Sequence, residues 1–354
     1  MSISESSKVK HQFYPSIEDS YDEGIIISVI IDCFHGLEYI KQSIRSVLDQ
    51  DYSNVELLLV NNGASEDIAA YLKTVHASNK NTSLITYEVN QFSWDDFEKT
   101  VPICWNAGLK HCKGEIVTHL SYDDMFSKNY ASKMARLFEE NPKCNTASPL
   151  PVCINEAGEI ITSSDFLPLN NRQRYEEGKK VAIDYIKGSP QKMFCAPGEI
   201  LAFRKSILLQ YSGFERGIDI LQLLKYAIHG DIGFDPKAYV YWRRHALQTN
   251  RMGTAKGHIN FKNEKKNIQK SNLINIWKNN FSLLEVELLE VFFKNRLKKL
   301  PISKARQMVG DKNLYGLLLV FINTAKECPE LLIQSIFSSI TYALSIILNK
   351  LKKG

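Results

Sequence analysis

Residues 24–62 read GIIISVIIDCFHGLEYIKQSIRSVLDQDYSNVELLLVNN, and this stretch decides the fold class. Its opening run, 25–31 (IIISVII), is short, β-branched and almost wholly apolar, as expected of a strand buried on both faces at the centre of a parallel sheet. Between residues 37 and 48 the apolar side chains fall at 37, 40, 44, 47 and 48, a helical spacing, and 55–60 (VELLLV) returns to strand character. Strand, helix, strand is a βαβ unit. Further along, a helix over 67–75, a strand near 84–89, a helix around 103–111 and a strand at 115–120 continue the alternation. They predict a mostly parallel three-layer α/β sheet. Ligands of such sheets bind beyond the carboxyl ends of the strands, so the residues to inspect follow Ile31, Val60 and Leu120. These are DCFHG, NNGASED and SYDDM, all polar and turn-rich. A Rossmann dehydrogenase is a poor reading, because no GxGxxG follows the first strand.

The composition, 44% hydrophobic and 23% charged over 354 residues, is that of an ordinary globular protein with room for two or three domains. The net charge of +5 is unevenly placed. Residues 251–354 carry 18 Lys or Arg against 7 Asp or Glu, a net +11, and residues 1–250 carry the balance of −6. A basic tail predicts an acidic partner, either nucleic acid or an anionic membrane surface. No RNA-binding or DNA-binding motif accompanies it, so no nucleic-acid partner is expected. The seven cysteines are scattered singly, with no CxxC pair and no His cluster at zinc spacing, which suits a reducing, cytoplasmic compartment. Residues 1–23 form a polar leader lacking an apolar run that could act as signal or anchor. The expected organisation is a leader (1–23), an α/β domain (24–250), a basic linker (251–270) and a helical C-terminal region (271–354).

Two segments carry a family resemblance. Residues 27–67, ISVIIDCFHGLEYIKQSIRSVLDQDYSNVELLLVNNGASED, resemble the first βαβ unit of the family 2 inverting glycosyltransferases, which have the GT-A fold. Residues 105–126, WNAGLKHCKGEIVTHLSYDDMF, are similar to that family's Asn-Ala-Gly-Leu segment leading to its acidic metal motif. The similarity runs in order from about Ile27 to His245. It implies a GT-A fold, a Rossmann-like sheet flanked by helices with a helical C-terminal extension. The implied activity is transfer of a sugar from a nucleoside diphosphate, UDP or dTDP, to a hydroxyl acceptor on a glycan or lipid-linked molecule. Surface polysaccharide or glycolipid assembly is the implied setting.

A diphosphate leaving group concentrates negative charge, which a divalent cation such as Mn²⁺ or Mg²⁺ held by carboxylates offsets. By the resemblance, Asp123 is the last acid of the metal motif, with Asp124 beside it. A solvated turn is the plainer reading of two adjacent acids. Ser121 stands where the family usually has its first Asp, and a hydroxyl contributes no charge to a metal site. Ser121 and Tyr122 join Asp123 on the donor side. Asn61 and Asn62 suit a pyrimidine base through their amides, or an Asx turn before the next helix. Cys33 and His35, at the first strand's end, are expected near the same nucleotide.

Transfer also needs a base to take the acceptor's proton. Residues 197–227 resemble the family's acceptor-side region, with Ser212-Gly213-Phe214 as its turn and Asp219 in the base position. Ile218 replaces the usual Glu and Lys225 the usual downstream Arg. Residues 239–248, YVYWRRHALQ, look like the family's Tyr-Arg-x-His closure, which makes His245 a metal ligand by resemblance. A non-catalytic relative that binds a nucleotide or a partner enzyme is the alternative that Ser121, Asn62 and Ile218 motivate. Finally, 331–349 is free of charge and patterned as an amphipathic helix, with Lys350, Lys352 and Lys353 after it. It suits peripheral attachment to an anionic membrane on the cytoplasmic face, or packing on the protein's own helices.

Overall fold

The computed structural model describes residues 9–93, 100–161, 173–188, 201–215, 219–245 and 248–351. It divides into two compact units, 1–244 and 245–354.

In the first unit the elements run β1 (Gln12–Tyr14), β2 (Ile27–Cys33), α1 (Leu37–Leu48), β3 (Val55–Asn62), α2 (Glu66–Ser78), β4 (Thr82–Tyr87), α3 (Thr100–His111), β5 (Ile116–Ser121) and β6 (Met125–Phe126). There follow α4 (Tyr130–Glu140), β7 (Cys144–Ile154), β8 (Tyr175–Glu177), α5 (Gly178–Ile186), β9 (Ala202–Arg204), α6 (Lys205–Gln210), α7 (Asp219–Tyr226) and β10 (Asp231–Arg243). One mixed sheet joins the strands in the order β1-β4-β3-β2-β5-β9-β7-β10-β6, with β8 also on β10. The run β4-β3-β2-β5 is parallel, and β2 lies at its centre as its apolar sequence predicts. Beyond it β9 is antiparallel to both β5 and β7, and β7 and β10 are again parallel. The sheet core is built from β2, β3 and β5 with the buried stripes of α1 (Ile40, Ile44, Val47) and α4 (Met134, Leu137, Phe138). Each such side chain contributes about 1.5–3 kcal/mol by leaving water.

The second half of the polar leader belongs to this unit. Strand β1 extends the sheet edge along β4, and the side chains of Asn81 and Asn54 accept from the backbone N–H groups of Ser20 (2.7 Å) and Asp22 (2.6 Å).

The second unit is helical: α8 (Thr249–Ala255), α9 (Phe261–Lys270), α10 (Leu273–Lys278), α11 (Leu283–Gly310), α12 (Leu314–Glu327) and α13 (Leu332–Leu351). The stretch expected as a basic linker, 251–270, is therefore mostly helix. It has few apolar residues, but Ile259, Glu264 and Asn267 are buried, and Glu264 receives the Arg296 guanidinium from α11 at 2.7 Å. Ile259 packs in one core with Ala305, Met308, Val320, Cys328 and Leu331. Helix α11 starts with a capping box, Ser282 and Glu285 each accepting from the other's backbone N–H, and runs on through Pro301.

Candidate active site

The parallel strands β2, β3 and β5 present their carboxyl ends together, and most of the polar residues singled out in the sequence sit there. In the β2–β5 pairing Asp32 lies opposite Ser121. The position where the family's first acid is missing thus has a carboxylate on the neighbouring strand. Asp32 accepts from the indole N–H of Trp105 on α3 at 3.3 Å. Burial pushes the Asp32 carboxyl up to about 7, and the nearby Asp123 charge adds to the rise against the opposing Trp105 hydrogen bond. Asp32 was missed in the sequence because an acid ending an apolar strand looks like an ordinary turn residue. Its register opposite Ser121 is visible only once the strands are paired.

Past β5 the chain turns sharply, the Asp124 N–H donating to the Ser121 carbonyl at 3.1 Å. The turn is held from below by Arg243, the last residue of β10, which is fully buried. Its Nε donates to the Asp123 carbonyl (2.8 Å), one terminal nitrogen to the carbonyls of Asn155 (3.2 Å) and Glu156 (2.8 Å), and the other to Gln42 Oε1 (2.6 Å). The guanidinium also lies over the Tyr39 ring, 4.7 Å from its centre. Asp124 Oδ1 accepts the Arg243 backbone N–H at 2.8 Å. The two adjacent acids therefore differ: Asp124 anchors the turn to β10, while the Asp123 carboxylate is coupled electrostatically to Asp32.

Tyr122, just before Asp123 in sequence, shares a 2.7 Å hydrogen bond with His35 Nε2, and the two rings lie 4.7 Å apart. Burial raises the Tyr122 phenol, and Asp123, Asp32 and Asp124 push in the same direction, so it stays protonated. Asn61 and Asn62 serve the loops. Asn61 Oδ1 accepts the Ala64 N–H (3.0 Å), closing the Asx turn before α2, and Asn62 Oδ1 accepts the Gln91 N–H (2.9 Å). Between these loops Gly63 has φ +59°, and a Cβ there would meet the Asn90 backbone nitrogen at 2.3 Å, so only glycine fits. Cys33 is fully buried in the apolar core, its thiol directed at the Ile31 carbonyl (3.8 Å) and raised well above its usual pKa by burial. The expectation of Cys33 beside the nucleotide is thus not met by its side chain.

Helix α3 links the end of β2 to the Ser212-Gly213-Phe214 turn. Next to Trp105, the buried Asn106 forms two hydrogen bonds with the backbone of Phe214, accepting its N–H at 2.7 Å and donating to its carbonyl at 2.9 Å. Gly108 packs so close to Ile30 of β2 that a Cβ would fall 2.7 Å from that side chain. The Asn-Ala-Gly segment thus clamps the Ser212-Gly213-Phe214 turn, in which Ser212 and Gly213 both have positive φ. Asp219 is the first residue of α7 after this turn, and its side chain lies outside the described residues, as do Ile218, Trp94, Asp95 and Asp96. Lys225, at the usual Arg position, is buried and paired with Glu215. His245 is buried and opens the second unit. Its metal role rests on the sequence motif.

Among the described residues no group of three or more His, Cys, Asp or Glu side chains could hold a metal by itself. Asp32 and Asp123 nevertheless offer oxygen donors of the right hardness. Mg²⁺ typically takes one or two carboxylates and completes its shell with substrate phosphates and water. The residues fit a cation that arrives with a diphosphate.

Comparison with known proteins matches this architecture. The chain is 26% identical over 149 residues to an uncharacterised glycosyltransferase of Haemophilus influenzae, covering 41% of this chain and 56% of that protein. It is 30% identical over 115 residues to another from Rickettsia bellii, covering 32% of this chain and 15% of that protein. The chain thus spans about half, or less, of these relatives. Among solved structures, S. aureus TarS 1-349 in complex with UDP-GlcNAc superposes with a TM-score of 0.55 at 14% identity, covering 92% of both chains; the UDP complex gives 0.52. These likenesses show a GT-A-like α/β fold. The glycosyl transferase family 2 model matches residues 28–210, which include β2, β3, β5 and the acidic turn, and the chain belongs to that family.

Proposed function

We propose that this glycosyltransferase moves a sugar from a uridine or deoxythymidine diphosphate donor to a hydroxyl of a glycan or lipid-linked acceptor, with inversion. The carrying observation is the pairing of Asp32 with Ser121 beside Asp123 at the carboxyl ends of β2 and β5, where the family's donor is expected. TarS, the relative in fold, binds UDP-GlcNAc and UDP in its crystals, which supports a uridine donor without identifying the sugar. Asp123 and Asp32 would hold the divalent cation, which offsets charge on the departing diphosphate when bound. Arg243 and Asp124 keep the acidic turn in place before any ligand arrives, so no reorganisation is needed at the moment of reaction. Tyr122 and His35 form a hydrogen-bonded pair beside this turn.

Asp219 is the proposed base: it takes the acceptor's proton as that oxygen attacks the anomeric carbon from the face opposite the diphosphate. The bond to the diphosphate oxygen breaks in the same step. One displacement inverts the anomeric centre and needs no covalent sugar intermediate. The Asn106 clamp holds the turn that leads into Asp219.

The test is release of nucleoside diphosphate from a panel of UDP-, dTDP- and GDP-sugars by wild type and Asp219→Asn. The expected result is release from one donor class, reduced about 10²- to 10⁴-fold in the variant with nucleotide affinity retained. Release from none of these donors, with nucleotide binding intact, would favour the non-catalytic reading.

A further inference from the structure

We propose that the outward apolar face of α13, together with the start of α12, docks on an anionic lipid bilayer surface. Two small polar residues of helix α13 face the protein: Ser335 is fully buried and Ser339 is 4% exposed. Their hydroxyls donate to the carbonyls four residues back, Leu331 (2.9 Å) and Ser335 (2.8 Å), so they are satisfied within the helix. The large apolar residues face out, with Ile333 69% and Phe337 66% exposed, and Ile340, Leu344, Ile347 and Leu348 all above half. Thr341 and Ser345, on the exposed side, also bond back to their own helix, at Phe337 (3.1 Å) and Tyr342 (2.7 Å). Such hydroxyls tolerate an apolar medium. A soluble monomer rarely exposes a contiguous apolar surface of this kind without a partner to cover it.

The topology adds a second patch. A Cβ on Gly310, the last residue of α11, would lie 3.8 Å from the Tyr342 hydroxyl, so the remainder of α13 runs on past the end of α11. Helix α12 begins four residues later at that same end, with Leu314 80%, Tyr315 71% and Leu318 54% exposed.

Charge selects the occupant. Arg306 of α11 sits beside α13, its Nε on the Ser338 hydroxyl at 2.7 Å and its guanidinium 6.0 Å from the Tyr342 ring centre. Lys312 lies in the connection to α12, next to the one acid there, Asp311, and Lys350, Lys352 and Lys353 end the chain with no Asp or Glu after Glu330. Two copies meeting through the same patch would bring these cations face to face, whereas anionic head groups neutralise them. The span Pro329–Asn349, of mean hydropathy 1.9, is long enough to cross a bilayer. Crossing would strip Ser335 and Ser339 from their packed positions, so α13 lies in the interface instead.

The full chain is floated with vesicles of phosphatidylcholine alone and of phosphatidylcholine mixed with phosphatidylglycerol, beside the double variant Ile347→Asp, Leu348→Asp. The expected result is flotation with the mixed vesicles, weakened by salt, and a loss of about tenfold or more in partitioning both in the variant and on neutral vesicles. A circular dichroism melt matching wild type shows that the variant is folded. Failure to bind the mixed vesicles overturns the proposal, and a dimer in light scattering that the double variant dissociates would assign the face to a second copy. Neither result bears on the donor site, which nucleotide binding reads separately.

Discussion

Arg243→Met should destabilise the first unit, because the buried Arg243 guanidinium serves four acceptors at once: the buried carbonyl of Asp123, the half-buried carbonyl of Asn155, and the carbonyl of Glu156 and side chain of Gln42 on exposed residues. Methionine fills much of the volume and donates nothing. Leaving a buried acceptor without its donor costs roughly 1–3 kcal/mol. Water reaches the acceptors on exposed residues, which leaves about 3–5 kcal/mol, the cost of removing one side of a buried charged network. For a unit of this size that loss lowers Tm by roughly 10–20 °C. Arg243→Lys keeps the charge but cannot reach in three directions, so about half the loss is expected. Urea unfolding followed by circular dichroism reads both variants, and the midpoint should drop at unchanged slope. Donor affinity should fall in Arg243→Lys even where the protein is fully folded, since the carbonyl of Asp123 loses its anchor. If Arg243→Met unfolds within about 1 kcal/mol of wild type, the acidic turn is supported by something else and the reasoning fails.

Asn106→Ala removes both hydrogen bonds to Phe214 and should lower turnover more than nucleotide affinity, because the clamp orders the acceptor-side turn; equal losses in both would contradict that division. Burial holds the His119 imidazole down to about 3, tilted against Trp105 with no hydrogen-bond partner for either nitrogen among the described residues. Its folded pKa lies below the unfolded value of 6.5, so stability is lost as pH falls below 6.5 and only the unfolded chain takes the proton. The contribution is about 2 kcal/mol by pH 5, and His119→Leu should flatten the dependence of the urea midpoint between pH 7 and 5. Asp32→Asn should stabilise the ligand-free protein increasingly as pH rises from about 4 to 7 and by a constant amount above, because the unfolded carboxyl ionises near 3.8 while the native one, raised to about 7 by burial, resists. The same variant should reduce the metal-dependent part of nucleotide binding, and titration calorimetry with and without Mn²⁺ would reveal a role confined to packing if that part is unchanged.

The first half of the sheet was readable because β2 and β3 are mostly apolar runs, as a doubly covered strand requires, and α1 appeared at its predicted bounds. The second half was not. Strand β7 (CNTASPLPVCI) contains two prolines and β10 (DIGFDPKAYVYWR) another, residues that normally argue against a sheet interior. The β7–β10 register shifts between Asp235 and Tyr239, which accommodates Pro236. In the second unit α11 spans 28 residues straight through Pro301, which is buried, although a proline normally marks a helix boundary. The polar stripe of α13 was visible, and Gln334, Thr341, Ser345 and Asn349 are exposed, but the burial of Ser335 and Ser339 beside it was not, since their hydroxyls bond within their own helix. At the candidate site, Asp123, Tyr122 and His35 could be found from strand ends alone. Asp32, Arg243 and Asn106 act through partners at least 70 residues away in the chain, and no local pattern carries that information.

The central claim is that the ends of β2 and β5 bind a nucleoside diphosphate with a divalent cation. A thermal-shift titration of the purified protein with UDP, dTDP and GDP, each with and without Mn²⁺ or Mg²⁺, tests it directly when repeated on Asp123→Ala. The account predicts stabilisation by UDP or dTDP that depends on the metal and disappears in the variant. Stabilisation by no nucleotide, or an equal response in Asp123→Ala, would contradict it.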